Sequence, residues 1–480
     1  MTDSANGLNF IIVGASIAGL AAAIALKASG HNVLVLEKEP QLGGTSSIPS
    51  GCARVPPNGT KILFDWGLDA KTKEYGAIVE GLAAYKYEGT ESGRDFLGIH
   101  LWDPELLTEA RGNFVHFRHQ DLLRILYDAT IKPPRRKEER SAPRVSVLFG
   151  AEVVQIDPQT CTATLRSGET HVGDAIIGAD GVRGVVRRTL MGEEGVLPGR
   201  DDVPSGLTLY RAVIPKELAV NDPDLTSFYD YPQCTASMGS NRGALTFVAG
   251  KDRDITLCVY TPDSSQDGNW GEEADQKLAD VLGPCDVGIR KLAALAGPAT
   301  CIQLRDQYKL ESWVSTSGRV VVLGEAAHPF PPVSLHTYSI ALEDGAFIGK
   351  IFSHTKNRNR IPEFLHAFQE HREPRCSRIR DTEKQYIGGI TLQDGEMQAW
   401  RDAAMRANHA AGKDVMDSVG GDAEQMLEDT RMVFGYGPAD DADEWWMTWG
   451  RYRGTPKVPV DDDRHKSWST FSSITGNNDE

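Results

Sequence analysis

The run from Phe10 to Glu37 limits the possible fold more than any other part of the chain. Phe10-Ile11-Ile12-Val13 is continuously apolar and ends at Gly14-Ala15-Ser16-Ile17-Ala18-Gly19, after which Leu20 to Ala28 is alanine-rich. An unbroken apolar strand is buried on both faces, as in a parallel sheet covered by helices. A glycine turn that passes straight into a helix aims free backbone N–H groups, and the positive end of the helix dipole, at one point. Gly14 permits the turn and Gly19 lets helix and strand approach. Ser16 stands where the pattern prefers glycine, so its hydroxyl must turn away from a bound phosphate or donate to it. A second strand, Asn32 to Leu36, ends at Glu37, where an acid accepts hydrogen bonds from ribose hydroxyls and disfavours a 2′-phosphate. The whole series predicts a dinucleotide site that includes Ile17, Ala18 and Lys38. The geometry is shared by FAD and NAD.

Two later segments narrow the choice. Asp174 to Gly181 is an apolar strand ending in Ala179-Asp180-Gly181, and Gly318 to Pro329 is a strand ending in Gly324-Glu325-Ala326-Ala327-His328-Pro329. The second continues through Pro331-Pro332 into a helix predicted over 339–352, which carries Glu343-Asp344-Gly345. An acid at such a strand end can hold the ribityl chain of a flavin. The following helix start can stabilise negative charge on the reduced ring.

In this order, spanning roughly residues 9 to 365, the three segments resemble the single-component (group A) FAD-dependent aromatic hydroxylases, the family of 4-hydroxybenzoate and salicylate hydroxylases. That family reads G-x-G-x-x-G, a D-G turn, then G-D-A-A-H-P with a second proline and E-D-A. Pro56 to Leu68, His119 to Leu123 and Leu209-Tyr210-Arg211-Ala212 are similar to its PN-x-x-x-x-L helix, H-R-x-D-L segment and A-Y-R strand. Three departures stand out. Glu325 replaces Asp; His119 fills the Arg position, with Arg118 one residue earlier; and His336-Thr337-Tyr338-Ser339 replaces Q-G-x-N, losing a glycine where backbone passes the flavin.

The resemblance implies an α/β fold: a Rossmann-like FAD-binding domain with a mostly parallel sheet, an α+β substrate domain with a mainly antiparallel sheet, and a helical C-terminal region. The expected boundaries are 1–75, 112–200 and 300–365 for the first, 76–111 and 201–299 for the second, and 366–480 for the third, with a polar tail after Thr455. It implies FAD held by the residues already named together with Gly51, Arg54, Arg118, Val154, Asp180, Glu325, Pro332, His336, Thr337 and Tyr338. NAD(P)H would dock transiently, since no second dinucleotide turn occurs. The implied reaction is hydroxylation of a small phenolic or aromatic acid by O2 through a flavin C4a-hydroperoxide, with or without decarboxylation. Arg211 is the expected partner of a substrate carboxylate or phenolate. Tyr210, Tyr229 and Tyr231 are candidate phenol partners, and His328 is either a proton relay or a structural contact beside the isoalloxazine. Two other readings stay open: an epoxidase or dearomatising oxygenase acting on a larger natural product, motivated by the 336–339 loop, and a flavin-binding sensor without turnover.

Composition excludes other classes. Fifty-one Lys and Arg against 67 Asp and Glu give a net charge of −16, which repels nucleic acid. No apolar stretch reaches the ~20 residues that span a bilayer. Seven cysteines without a Cys-x-x-Cys pair predict buried free thiols, no metal site and a reducing, cytoplasmic setting for a soluble protein. A homodimer is compatible with all of this. The charged, proline-interrupted segment 131–140 is expected to be an exposed loop.

Overall fold

A computed structural model describes residues 7–452 except 92, 133–142, 197–201, 231, 264–267, 269–270 and 417–422. The expected tail and most of the 131–140 loop lie outside the described residues.

Five short apolar strands form a parallel sheet in the order Val320–Val322, Ala175–Gly178, Asn9–Val13, Asn32–Leu36, Val145–Leu148. Ile12, Val35, Ile176, Ile177 and Val320 to Val322 are wholly buried, as a sheet covered on both faces requires. The helices Ile17–Ala28 and Thr337–Phe352 pack together through small residues. A Cβ on Gly345 would lie 2.5 Å from Ala21 Cβ, and one on Gly349 2.2 Å from Ala25 Cβ, so the alanine-rich face predicted near the start of the chain has a glycine-bearing partner over 300 residues away.

The second sheet has seven strands in the order Thr300–Gln307, Asp202–Ile214, Asp254–Pro262, Arg242–Ala249, Cys234–Gly239, Gly81–Lys86, Phe96–Leu101. It is antiparallel except where Gly81–Lys86 pairs parallel with Cys234–Gly239. Thr300–Gln307 belongs here, paired with Asp202–Ile214, so the chain leaves this sheet after Gln307 and not at residue 300. One face packs under the helix Val287–Leu295 with Tyr210, Leu257 and Val259. The other carries Leu209, Phe247, Cys258 and Tyr260 and is closed by Ile387 and Met405 from the helices Ile361–Ile390 and Glu396–Ala410. A small sheet of Cys52–Val55, Val115–Arg118 and Ala77–Ile78 adjoins both. No described helix is long and apolar enough to cross a membrane.

Candidate active site

A cavity of 590 Å³ lies at the C-terminal ends of the parallel strands and extends to the inner face of the second sheet. In open α/β sheets that crevice is where ligands bind, because loops and helix starts converge there.

Its outer end is built by the first turn. Gly14 has φ +103°, and a Cβ there would sit 2.5 Å from the Ala179 carbonyl oxygen, so only glycine fits without strain. A Cβ on Gly19 would lie 2.1 Å from the Gly14 carbonyl oxygen; that glycine packs behind the wall. The Ser16 hydroxyl donates to the Ala179 carbonyl (2.9 Å) and accepts from the Gly19 N–H (3.3 Å), capping the helix. Of the two orientations open to it, the hydroxyl thus takes the one turned into the protein. Glu37 is fixed by the N–H groups of Ala15 (2.7 Å) and Glu39 (2.9 Å), and its remaining lone pairs face the cavity beside Lys38.

Asp180 accepts the Val186 N–H through Oδ2 (3.0 Å), while Oδ1 is buried and makes no hydrogen bond. Burial raises this carboxyl to about 6, against the opposing pull of backbone N–H groups and Arg188. Gly184 makes room for it, since a Cβ there would fall 2.1 Å from Oδ1. An acceptor orphaned in a cavity wall fits a ligand that brings hydroxyl donors. With the glycine cradle and the helix start beside it, this end has the donor and acceptor set that a flavin dinucleotide requires.

The inner end joins four elements. Glu325 projects into the cavity; it is open to that space yet walled by protein, and this enclosure raises its carboxyl above the ordinary range. Pro332, Thr337 and Tyr338 line the wall at the start of the helix Thr337–Phe352. Opposite them stand Cys52 and Arg54, His119, and the sheet residues Arg211, Phe247, Thr256 and Cys258. The Arg54 guanidinium lies 4.5 Å over the Phe247 ring and donates to the Val333 carbonyl. Burial lowers the pKa of Arg211, and burial, with Arg211 nearby, holds His119 at about 4 and therefore neutral. Burial also pushes the Cys258 thiol up to about 12, so it is an uncharged part of the lining.

Gly51 lies just behind this wall with φ +79°, where a Cβ would approach Arg211 Cδ to 2.9 Å. Six expected positions among the described residues lie elsewhere. Arg118 turns away and is held by Asp252 and Asp254, each at 2.6 Å; two carboxylates outcompete the cavity, and His119 lines it instead. Val154 is 41 % exposed because strand alternation brings Val153 inward. The His336 ring is buried against Phe434, with burial lowering it to about 3. Tyr210, next to Arg211 on one strand, necessarily points to the opposite face, and Tyr229 packs on that same far side. Tyr231 lies outside the described residues.

His328 does not reach the cavity either. Its Nε2 meets Asp344 Oδ2 at 2.5 Å, and Asp344 also accepts the Gly324 N–H (2.9 Å) and Arg372 Nε (2.9 Å). Burial opposes charge on this ring, but the Cys376 sulfur and the Asp344 carboxylate outweigh it and raise the pKa to about 10. The relay reading is replaced by a buried contact that holds the Gly324–Glu325 turn. His328, Asp344 and Cys376 bring ligand atoms within 4.8 Å of one another, yet Arg372 already supplies the positive charge a metal ion would bring.

His119, Cys52, Phe247, Thr256, Cys258 and Arg188 carried no expected role. Phe247 and Thr256 are direct cross-strand neighbours, as are Cys258 and Arg211, so alternation combined with register would have put all four on one face.

Comparison with known proteins agrees with this geometry. Residues 8–383 match the family described as FAD binding domain. The FAD-dependent monooxygenase atnJ of an Arthrinium species is 29 % identical over 416 residues, covering 85 % of this chain and 90 % of the relative. A crystal structure of CtdE with FAD and substrate 4 superposes with TM-score 0.70 at 17 % identity, covering 92 % of this chain and 98 % of that one. A salicylate hydroxylase substrate complex gives TM-score 0.66 at 17 % identity over the same shares of the two chains, 92 % and 98 %. At these identities the solved structures speak for the fold, while the family match spans most of the sequence. The chain belongs to the FAD binding domain family and is an FAD-dependent monooxygenase.

Proposed function

We propose that the protein hydroxylates a small aromatic ring bearing an anionic oxygen, a phenolate or a carboxylate, with O2 and NAD(P)H as co-substrates. The observation that carries this reading is the pairing of two guanidinium groups, Arg54 and Arg211, with an uncharged floor of Phe247, Thr256 and Cys258 at the inner end of the cavity. A planar guanidinium pairs well with carboxylate and phenolate oxygens, so two of them lining an otherwise uncharged end of the cavity favour a substrate that carries such a group. Arg54 thereby moves from the expected cofactor set to the substrate side. The units that meet here are taken as 76–111 with 201–307 for the substrate and the parallel sheet for the cofactor.

At the outer end, the N–H groups of Ser16 to Ala18 would face the pyrophosphate, Glu37 would accept from the ribose, and Asp180 Oδ1 and Glu325 would accept from further hydroxyls. Bound FAD supplies the reducible ring at which O2 is activated. Arg211 orients the substrate, Tyr338 and Pro332 narrow the space around its ring, and the apolar lining excludes water. NAD(P)H would dock transiently in the same cavity. The free cysteines support an intracellular setting.

Purified enzyme given NADH or NADPH should consume it faster when a phenolic acid such as salicylate is added, forming a product one oxygen heavier; mass spectrometry also reads any loss of CO2. No acceleration across a panel of phenolic acids would refute the proposal. Arg211→Met is expected to raise KM for the acid about 10²-fold with a smaller change in kcat, the worth of one charge-assisted hydrogen bond. Unchanged KM would remove Arg211 from substrate binding.

The Asp180 assignment predicts a pH dependence. Hydroxyl donors prefer the carboxylate, so FAD binding lowers a pKa that the protein alone sets at about 6. FAD affinity should therefore fall as pH drops through about 6 and level off above it, as fluorescence titration would show, and Asp180→Asn should flatten that step.

A further inference from the structure

The turn that closes the inner end is held under strain. Val333 has φ +65°, a left-handed conformation that is unfavourable for a β-branched residue. Arg54 donates to its carbonyl, Tyr260 Oη donates to the Pro332 carbonyl (3.4 Å), and Ser334 Oγ donates to the Pro331 carbonyl (2.7 Å). The N–H side of the turn is held from a different helix. Glu383, on Ile361–Ile390, accepts the His336 N–H at 2.9 Å and also that of Leu335.

His336 precedes the first residue of the helix Thr337–Phe352, and its own side chain makes no capping bond. Glu383 therefore caps that helix start from outside, with a side chain that is otherwise sealed off: the residue is 3 % exposed and has no ion pair among the described residues. The two acids within the helix are different. Glu343 and Asp344 are neutralised by Arg372 and Arg375. The charged or titratable groups that act on or touch Glu383 are Arg54, Tyr260, Tyr386 and the His336 segment it holds. A negative charge thus sits at the positive end of a helix whose next residues, Thr337 and Tyr338, line the cavity.

We propose that Glu383 is a positioning residue that sets the reduction potential of the bound FAD: it fixes the turn, and its charge offsets the positive potential that the helix start offers to a reduced, negatively charged ring. A helix start capped by a neutral acceptor would favour the reduced form more strongly. The native enzyme is held at a lower potential than the bare helix would give.

The test is the midpoint potential of the holoenzyme, measured by anaerobic reduction against a reference dye at about pH 8, which favours the carboxylate: burial raises the Glu383 carboxyl above its ordinary range, and Arg54 with the His336 and Leu335 N–H groups pulls it back down. Glu383→Gln keeps an acceptor for the His336 N–H and removes the charge. It should shift the two-electron equilibrium about tenfold toward reduced FAD, about 30 mV upward. Glu383→Asp keeps the charge on a shorter arm and should leave the potential near the native value while loosening the turn, seen as weaker FAD retention. An unchanged or lower potential in Glu383→Gln overturns the proposal. So does an Asp variant that rises as far as the Gln variant, because contact and not charge would then be the agent. If Glu383→Gln does not retain FAD, the Asp variant decides: a native potential supports the charge, a raised one defeats it. The inference rests on the proposed reading of the cavity as the FAD site and takes the flavin ring to lie at its inner end beside Thr337; it does not rest on the proposed substrate. No substrate or oxygen enters the measurement, so failure of the aromatic-acid reading leaves its outcome intact.

Discussion

Arg372→Met is expected to destabilise the fold by about 3 kcal/mol or more, the effect of removing one partner from a buried ion network. Arg372 is fully buried and joins two carboxylates, Glu343 at 2.8 Å and Asp344 at 2.9 Å. Methionine fills a similar space but leaves these acids with Arg375 and His328 as their remaining cationic partners, in a region closed to solvent that could replace the lost donors. Urea titration followed by tryptophan fluorescence measures the loss. The same change should weaken FAD retention, because Asp344 holds the Gly324 N–H and so aims Glu325 into the cavity. A shift below about 1 kcal/mol would mean that the network's desolvation had already cancelled its attraction.

Gly14→Ala should lower FAD affinity about 10²-fold while leaving far-ultraviolet circular dichroism unchanged. A methyl group at φ +103° meets the Ala179 carbonyl at 2.5 Å, and both strain and contact must be relieved by moving the turn away from the helix start. Strain of this kind costs about 1–3 kcal/mol, and each 1.4 kcal/mol is tenfold in binding. The purified variant should be nearly colourless until excess FAD is added. Native affinity would show that the turn carries no part of the cofactor's weight.

The outer end of the site was legible because its signals are local. Gly14, Gly19 and Glu37 owe their places to a strand, a turn and a second strand contiguous in sequence, and Asp180 and Glu325 each end an apolar strand. The inner end was legible only in part. Arg211 could be chosen from its strand, but telling it from Tyr210 required knowing which sheet face met the cavity. Arg118 and His119 are neighbours, and what separates them is a pair of aspartates more than 130 residues later. Arg372 and Glu383 carried no readable signal. Their roles arise from one long helix lying against another, a contact without local periodicity. Thr300–Gln307 shows the same limit at the scale of a strand: its pairing with Asp202–Ile214, a long-range contact, is what assigns it to a sheet.

The glycine and alanine contacts between Ile17–Ala28 and Thr337–Phe352 work as a caliper. Both helices begin at the cavity and run side by side, so the span between their two starts is gauged by a joint buried between them, behind the cavity wall. A gauge of that kind suits one fixed cofactor and resists retuning. Descendants of such a scaffold that adopt a new substrate must do so through the antiparallel strands and the C-terminal helices, where a side chain can be exchanged without resetting the jaws.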